Sequence, residues 1–309
     1  MNTDIFGNPI PPNEIELNVY HDEREIPRQW FYHSFCFIPI ENEKKVLNTL
    51  CSHRKESTWG SEIHFKELKD TNTENDLAKR WVNYYGNEGI DDFYFYLLGI
   101  DLQMIEKRLW KSGTRDHRIY NRFFQIGLYG AIKWFFLNPD ARYHEVIINK
   151  IFSHERSRED KDEFHIRPIF ETLQKSLSRD EVIIFKTYKI KEVKSDHEEE
   201  IKNPDASHFI QFADVIMGTF SQIYDNTSNH KGKKLCARAM LKCELPRKIM
   251  SFNPNSRYYK RYAVSFFPKA KITKRDFFDK TPEYFLKSQF YNKRSMAFTS
   301  KGQMTFNMK

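Results

Sequence analysis

Four acids in this 309-residue sequence stand where a hydrolytic metal site would need them. Asp22 follows the alternating run Leu17, Val19, His21, and Glu155 follows the apolar run EVIINKIFSH. Asp214 falls within a helix-patterned stretch. Acids beyond the carboxyl ends of strands gather on one edge of an open α/β sheet. At 100° per residue Asp214 lies about 40° from Ile210 and about 60° from Met217, at the rim of an apolar stripe. Glu62 is the candidate fourth member, in an insertion between strands, with Glu67 a rival in the same segment. Like charges brought together are costly unless cations compensate them. Oxygen ligands without cysteine favour Mg²⁺ or Mn²⁺. Two such ions about 4 Å apart can activate a water and stabilise the leaving oxygen in phosphodiester cleavage. Asp101, at the end of the run DFYFYLLGIDL, competes with Glu155, and an acid that merely opens a turn is the alternative for each strand-end residue.

The elements that must carry these acids follow from periodicity. Glu14–Glu23 alternates with period two and is predicted as a strand ending in Asp22-Glu23, with Pro27 breaking the chain before a second strand, Trp30–Ile38. Short helices are expected at Asn42–Cys51 and Asp76–Tyr85, an extended segment at Thr58–Leu68, and a third antiparallel strand at Asp92–Leu102. A long aromatic helix at Ile119–Leu137 precedes the strand Glu145–Phe152. A helix at Ile166–Leu177, a strand at Glu181–Val193 and helices at Ser207–Tyr224 and Leu235–Cys243 complete the order. Three strands in a meander followed by strand–helix alternation predict an α/β fold, a mixed sheet flanked by helices.

The segments His21-Asp22-Glu23, Glu62-Ile-His-Phe-Lys-Glu-Leu68 and Ser207-His-Phe-Ile-Gln-Phe-Ala-Asp-Val-Ile-Met-Gly218 resemble the bacterial DUF3800 family, described as ribonuclease H-like. The resemblance covers about Ile15 to Asp225, and Gln211–Asp214 is its most specific piece. It implies a ribonuclease H-like sheet and assigns Asp22, Glu62, Glu155 and Asp214 as catalytic and Mg²⁺- or Mn²⁺-binding, choosing Glu62 over Glu67. Glu155 stands where the family pattern has Asp, with Asn149 the other register, and Arg24 replaces the usual Ser. Glu23, His64 and Asp101 are the supporting candidates, His64 as an orienting or proton-shuttling group.

Composition sets the remaining expectations. Aromatics make up 16% of the chain, enough large side chains for a core although hydrophobic residues total 39%. Pro246–Lys309 holds 15 Lys and Arg against three acids, a net +12 that leaves the rest of the chain at −4 of the overall +8. Residues 1–245 are therefore read as the ribonuclease H-like domain and 246–309 as a basic, aromatic extension packed on it. In that extension Arg257, Lys260, Arg261, Lys269 and Lys271 are placed to grip phosphates, with Tyr258, Tyr259 and Phe266 to stack on bases. Cys36, Cys51, Cys236 and Cys243 have no zinc spacing and read as reduced thiols. With no signal pattern at the start and no membrane-length apolar run, the expected setting is cytoplasmic. The expected function is a metal-dependent nuclease acting on RNA or DNA, with a protein partner in bacterial defence suggested by the family alone. The alternative is a nucleic-acid- or protein-binding module that kept the fold without the chemistry.

Overall fold

The computed structural model describes residues 14–26, 30–70, 73–103, 113–137, 143, 145–154, 170–171, 182–194, 203–225, 228–250, 253 and 255–267. A seven-stranded mixed sheet forms its centre. Strand β1 (Glu14–Ile26) pairs antiparallel with β2 (Trp30–Pro39), which pairs antiparallel with β3 (Tyr94–Asp101). On the other side of β1 lies β4 (Glu145–His154), parallel to it, followed by β5 (Val182–Phe185) and β6 (Ile190–Val193), both parallel to β4. The predicted strand Glu181–Val193 is thus two short strands that pair with successive parts of β4. The far edge is β7 (Tyr262–Phe267), parallel to β3. Every strand but β2 therefore points the same way, and their carboxyl ends share one edge.

The expected meander-then-parallel arrangement of a mixed α/β fold is present. The basic extension contributes more than a covering: its described part includes a short helix, Arg257–Arg261, and the edge strand β7. Phe266 is fully buried there, which removes it as a base-stacking residue.

Helices cover both faces. On one lie α1 (Ile40–Ser57), α2 (Thr73–Gly86), α4 (Pro204–Asp225) and α5 (Lys231–Lys242), whose apolar residues form one core with Tyr20, Tyr32, Phe95 and Phe152. On the other lies α3 (Gly113–Phe136), packed on Leu17, Val19, Phe35 and Ile148. Helix α1 is longer than its apolar pattern suggested. Pro39 sets an extended entry, Glu41 and Glu43 complement the positive helix start, Arg54 and Lys55 the negative end, and Thr58 closes it with φ 56°. The predicted helix Ile166–Leu177 falls almost entirely outside the described residues.

One irregularity fixes a register. Leu17 pairs with Ile148 but Asn18 pairs with Lys150, so Asn149 is the extra residue of a β-bulge. Its side-chain amide donates to Asn18 Oδ1 at 3.2 Å. Asn149 therefore lies at the Leu17–Asn18 level of β1, five residues before His154. Beyond the bulge, His21 pairs with Ser153, which sets His154 next to Asp22.

Candidate functional site

Asp22 does not end its strand. The ladder with β2 continues through Ile26, so Asp22 lies inside β1, at the level where the parallel neighbour β4 ends. Strand alternation turns Asp22 toward the face carrying Tyr20 and α4, and turns His21 and Glu23 toward α3. Glu23, expected to support Asp22, therefore projects from the opposite face. Asp22 is 6% exposed. Burial, then the nearby Asp214 carboxylate, then Glu23, hold its carboxyl well above the usual carboxylate range. The Glu23 backbone N–H and Arg24 oppose that shift only in part.

Asp214 stands on α4 between buried neighbours, its side chain 14% exposed, at the rim of the stripe as its helical angle requires. Its Oδ2 accepts a hydrogen bond from the Phe65 N–H at 2.7 Å. One turn earlier, Gln211 Oε1 accepts from the Ile63 N–H at 3.0 Å and from the Arg54 guanidinium, while Gln211 Nε2 donates to Ser207 Oγ. Two side chains three apart on a helix thus hold two N–H groups two apart on an extended segment. Arg54 also donates to the Ser61 carbonyl at 2.5 Å, and Trp59 Nε1 to the Glu62 carbonyl at 3.1 Å. Gly218 leaves the space that the Phe65 ring fills: a Cβ there would overlap Cγ, Cδ1 and Cβ of Phe65.

Pinned in this way, the segment places Ile63 and Phe65 inward and Glu62 and His64 toward the acids. His64 Nε2 lies 3.7 Å from Glu62 Oε2 and its Nδ1 3.8 Å from Asp214 Oδ2. The His154 ring, at the end of β4, is 6.3 Å from that of His64. Glu67 is exposed in a short 3-10 turn (Phe65–Glu67), apart from this group. Cations border it: the Arg24 guanidinium lies 5.0 Å and Lys233 Nζ 5.7 Å from the Phe65 ring centroid. Lys233 donates to the Lys66 carbonyl at 2.8 Å. Burial and the neighbouring Arg24 lower its pKa, and Asp214 opposes that shift.

The structure thus brings Asp22 and Asp214 into electrostatic contact and links Glu62 to them through His64. Glu155 lies outside the described residues. Asp101 is elsewhere: Asp22 pairs with Ser34 and Ser34 with Leu97, so Asp101 is four residues farther along and two strands away, roughly 13 Å and about 10 Å respectively. It is buried and accepts from the Gln103 N–H at 2.9 Å, which is its turn-opening role. Among the described residues, the one set of three ligand atoms all within 4.8 Å of one another is His21, Glu23 and His33. Asp22, Glu62 and Asp214 do not form a set that tight.

Sequence reasoning missed Arg54, Lys233, His154 and the roles of His21 and His33. Arg54 and Lys233 lie just outside the predicted helices Asn42–Cys51 and Leu235–Cys243 and belong to none of the motifs read from the sequence. His154 was visible only as the residue before Glu155, and the two buried histidines only as alternate positions of strands.

Of the basic residues assigned to phosphate, Arg257 is ion-paired with Asp91, and the Arg261 guanidinium lies 4.1 Å from the Tyr94 ring centroid. Lys260 is exposed, and Lys269 and Lys271 lie outside the described residues. Tyr258 donates to the Gly86 carbonyl and Tyr259 packs its ring on Trp134. The four cysteines are free. Among the described residues no helix is long and apolar enough to cross a membrane.

Compared with known proteins, the chain matches no family model and no curated sequence.

Proposed function

We propose that the chain is a metal-dependent nuclease with a ribonuclease H-like fold, hydrolysing phosphodiester bonds of RNA or DNA in a cytoplasmic, bacterial-defence setting. The observation that carries this reading is the buried Asp22 carboxyl at the carboxyl edge of a sheet, held well above the usual carboxylate range by its burial and then by the nearby Asp214 carboxylate. Ionising Asp22 beside a second carboxylate is costly as it stands, and a hard divalent cation relieves that cost. The donor set fits Mg²⁺ or Mn²⁺: two carboxylates, a third from Glu62 within reach of His64, and no thiolate among them. Asp22 and Asp214 would hold the ion, with Glu62 and Glu155 completing its shell. When bound, the ion supplies an acidified water and neutralises charge at the leaving oxygen. This chain's own residues do the positioning. Gln211 and Asp214 fix the Glu62 segment, His64 spans the acids, and Arg24 and Lys233 stand where a phosphate would approach.

A specific observation favours a second reading, a binding module without cleavage. Asp214 Oδ2 is already engaged by the Phe65 N–H, so the Gln211–Asp214 motif has a sufficient structural role as a clamp.

The test is purified full chain on end-labelled RNA, DNA and RNA–DNA hybrid, with Mn²⁺ or with chelator. Chelator-sensitive cleavage that falls about 10²–10³-fold in Asp22→Asn and Asp214→Asn supports the nuclease, the size being that of removing one electrostatic stabiliser. Cleavage retained in either variant overturns the site. Salt-dependent binding without cleavage of any of the three polymers establishes the second reading.

A further inference from the structure

We propose a separate transition-metal site on the opposite face of β1, formed by His21, Glu23 and His33. Its geometry follows from the β1–β2 ladder. Glu23 pairs directly with His33, and His21 pairs with Phe35, so His21, Glu23 and His33 share the face turned toward α3. One ligand atom from each of the three lies within 4.8 Å of the other two. Both imidazoles are fully buried and Glu23 is half-buried. The carboxylate is therefore the side from which an ion would enter.

The hydrogen bonds select the ligand nitrogens. His21 Nδ1 lies 2.9 Å from Ser153 Oγ, and His21 Nε2 lies 2.9 Å from His33 Nδ1. A proton on His21 Nδ1, donated to Ser153, would leave the His21 lone pair on Nε2 facing His33, and an incoming ion would displace the proton that His33 Nδ1 then shares with it. This is the orientation that a neighbouring hydroxyl or carboxylate imposes on a ligating histidine. Metal–nitrogen bonds of about 2.0–2.1 Å place adjacent octahedral ligand nitrogens roughly 3 Å apart and tetrahedral ones roughly 3.4 Å apart. The observed separation matches the first and is within a small ring rotation of the second. Phe35 and Phe124 hold the His21 ring, each with centroids 4.9 Å away, and Phe31 holds His33 at 4.7 Å. The two imidazoles are thus held by packing before any ion arrives. Two imidazoles and one carboxylate suit a borderline divalent ion of the zinc type in preference to Mg²⁺, and three protein ligands leave a coordination position open. The site stands apart from the Asp22–Asp214 pair, because Asp22, though between two of its ligands in sequence, projects from the other face.

The experiment loads chelator-stripped full chain with Zn²⁺, removes excess ion by gel filtration, measures retained zinc, and records zinc-edge X-ray absorption. Expected are one retained equivalent in wild type and in Asp214→Asn, and a loss of affinity of tenfold or more in Glu23→Gln and His33→Gln. The absorption spectrum is expected to show two imidazole nitrogens near 2.0–2.1 Å. The site is overturned if wild type retains no zinc, if Glu23→Gln binds as wild type does, or if Asp214→Asn abolishes binding. Should both ligand variants fail to fold, the wild-type spectrum decides. Two imidazoles support the site, and a shell of oxygen or sulfur alone refutes it.

Discussion

The two faces of β1 solve opposite electrostatic problems with adjacent residues. On the α4 face, Asp22 meets another acid and is held by burial in a state that disfavours its charge. On the α3 face, His21 meets another imidazole across 2.9 Å and needs no net charge to satisfy the contact, since one ring can donate where the other accepts. The tripeptide His21-Asp22-Glu23 reads as one polar cluster in sequence, yet the pleat divides it between two layers. The lesson is that proximity along a strand argues against a shared site: residues i and i+1 face apart, and only i and i+2 can cooperate. The α4 face depends on a clamp from a distant segment, whereas the α3 face takes all three of its proposed ligands from two paired strands. That difference in construction can be broken selectively.

The largest separation is expected from Gly218→Ala. Alanine favours a helix over glycine by about 1 kcal/mol, but the added methyl overlaps the root of the Phe65 ring, three atoms of which lie inside contact distance. The root cannot swing aside without moving the segment whose N–H groups Gln211 and Asp214 hold. Overpacking of this kind costs about 1–3 kcal/mol, so thermal unfolding is expected several degrees below wild type. Cleavage should fall with it while zinc retention by His21, Glu23 and His33 stays unchanged. A variant with wild-type Tm and activity would show that the Phe65 contact does not position Glu62.

This contrast also marks what could be read from the sequence. Alternation at Glu14–Glu23, the meander and the apolar rim of the helix around Asp214 were legible because they are local patterns. So was the candidate pair Asp22–Asp214, given a strand end and a helix rim that had to meet. The run of β1 past Asp22 to Ile26 was not, since two acids followed by Pro27 mimic a turn and only the ladder with β2 keeps them extended. Nor was the bulge at Asn149, which is set by pairing and leaves no trace in β4's own periodicity. The histidine site escaped for the same reason: His33 is brought to Glu23 by register, and register is a property of two strands together. Arg54 is a further case, a cation in a charged helix whose partner Gln211 lies 157 residues away.

A smaller, continuous effect separates the faces by pH. The folded pKa of Asp22 is raised above its unfolded value, so the native state binds the extra proton. Its contribution to stability is full below the unfolded carboxylate pKa, about 4, and is lost as pH rises through the folded value. Metal-free protein should therefore lose Tm as pH increases from about 4. Asp22→Asn should flatten that slope and gain a few degrees at neutral pH while losing cleavage. Added Mn²⁺ should restore wild type and leave the variant unmoved. A metal-free wild type whose Tm rises steadily over the same interval would mean that Asp22 ionises freely, and the case for a cation between it and Asp214 would fail.

The least effect is expected at the basic edge, where Arg257 and Lys260 distinguish a structural cation from one available to a ligand. Arg257 is paired with Asp91 across exposed surface, a contact worth less than about 1 kcal/mol, so Arg257→Ala should shift Tm by only a degree or two. Lys260 is exposed beside it, on the short helix leading into β7. If this edge guides a polyanion toward the carboxyl ends of the strands, Lys260→Gln should leave Tm unchanged. It should weaken binding about equally for RNA and DNA, and reduce the slope of log affinity against log salt by about 1. An unchanged salt slope would detach the basic edge from the carboxylate face and leave Arg24 and Lys233 as the cations that meet the phosphate.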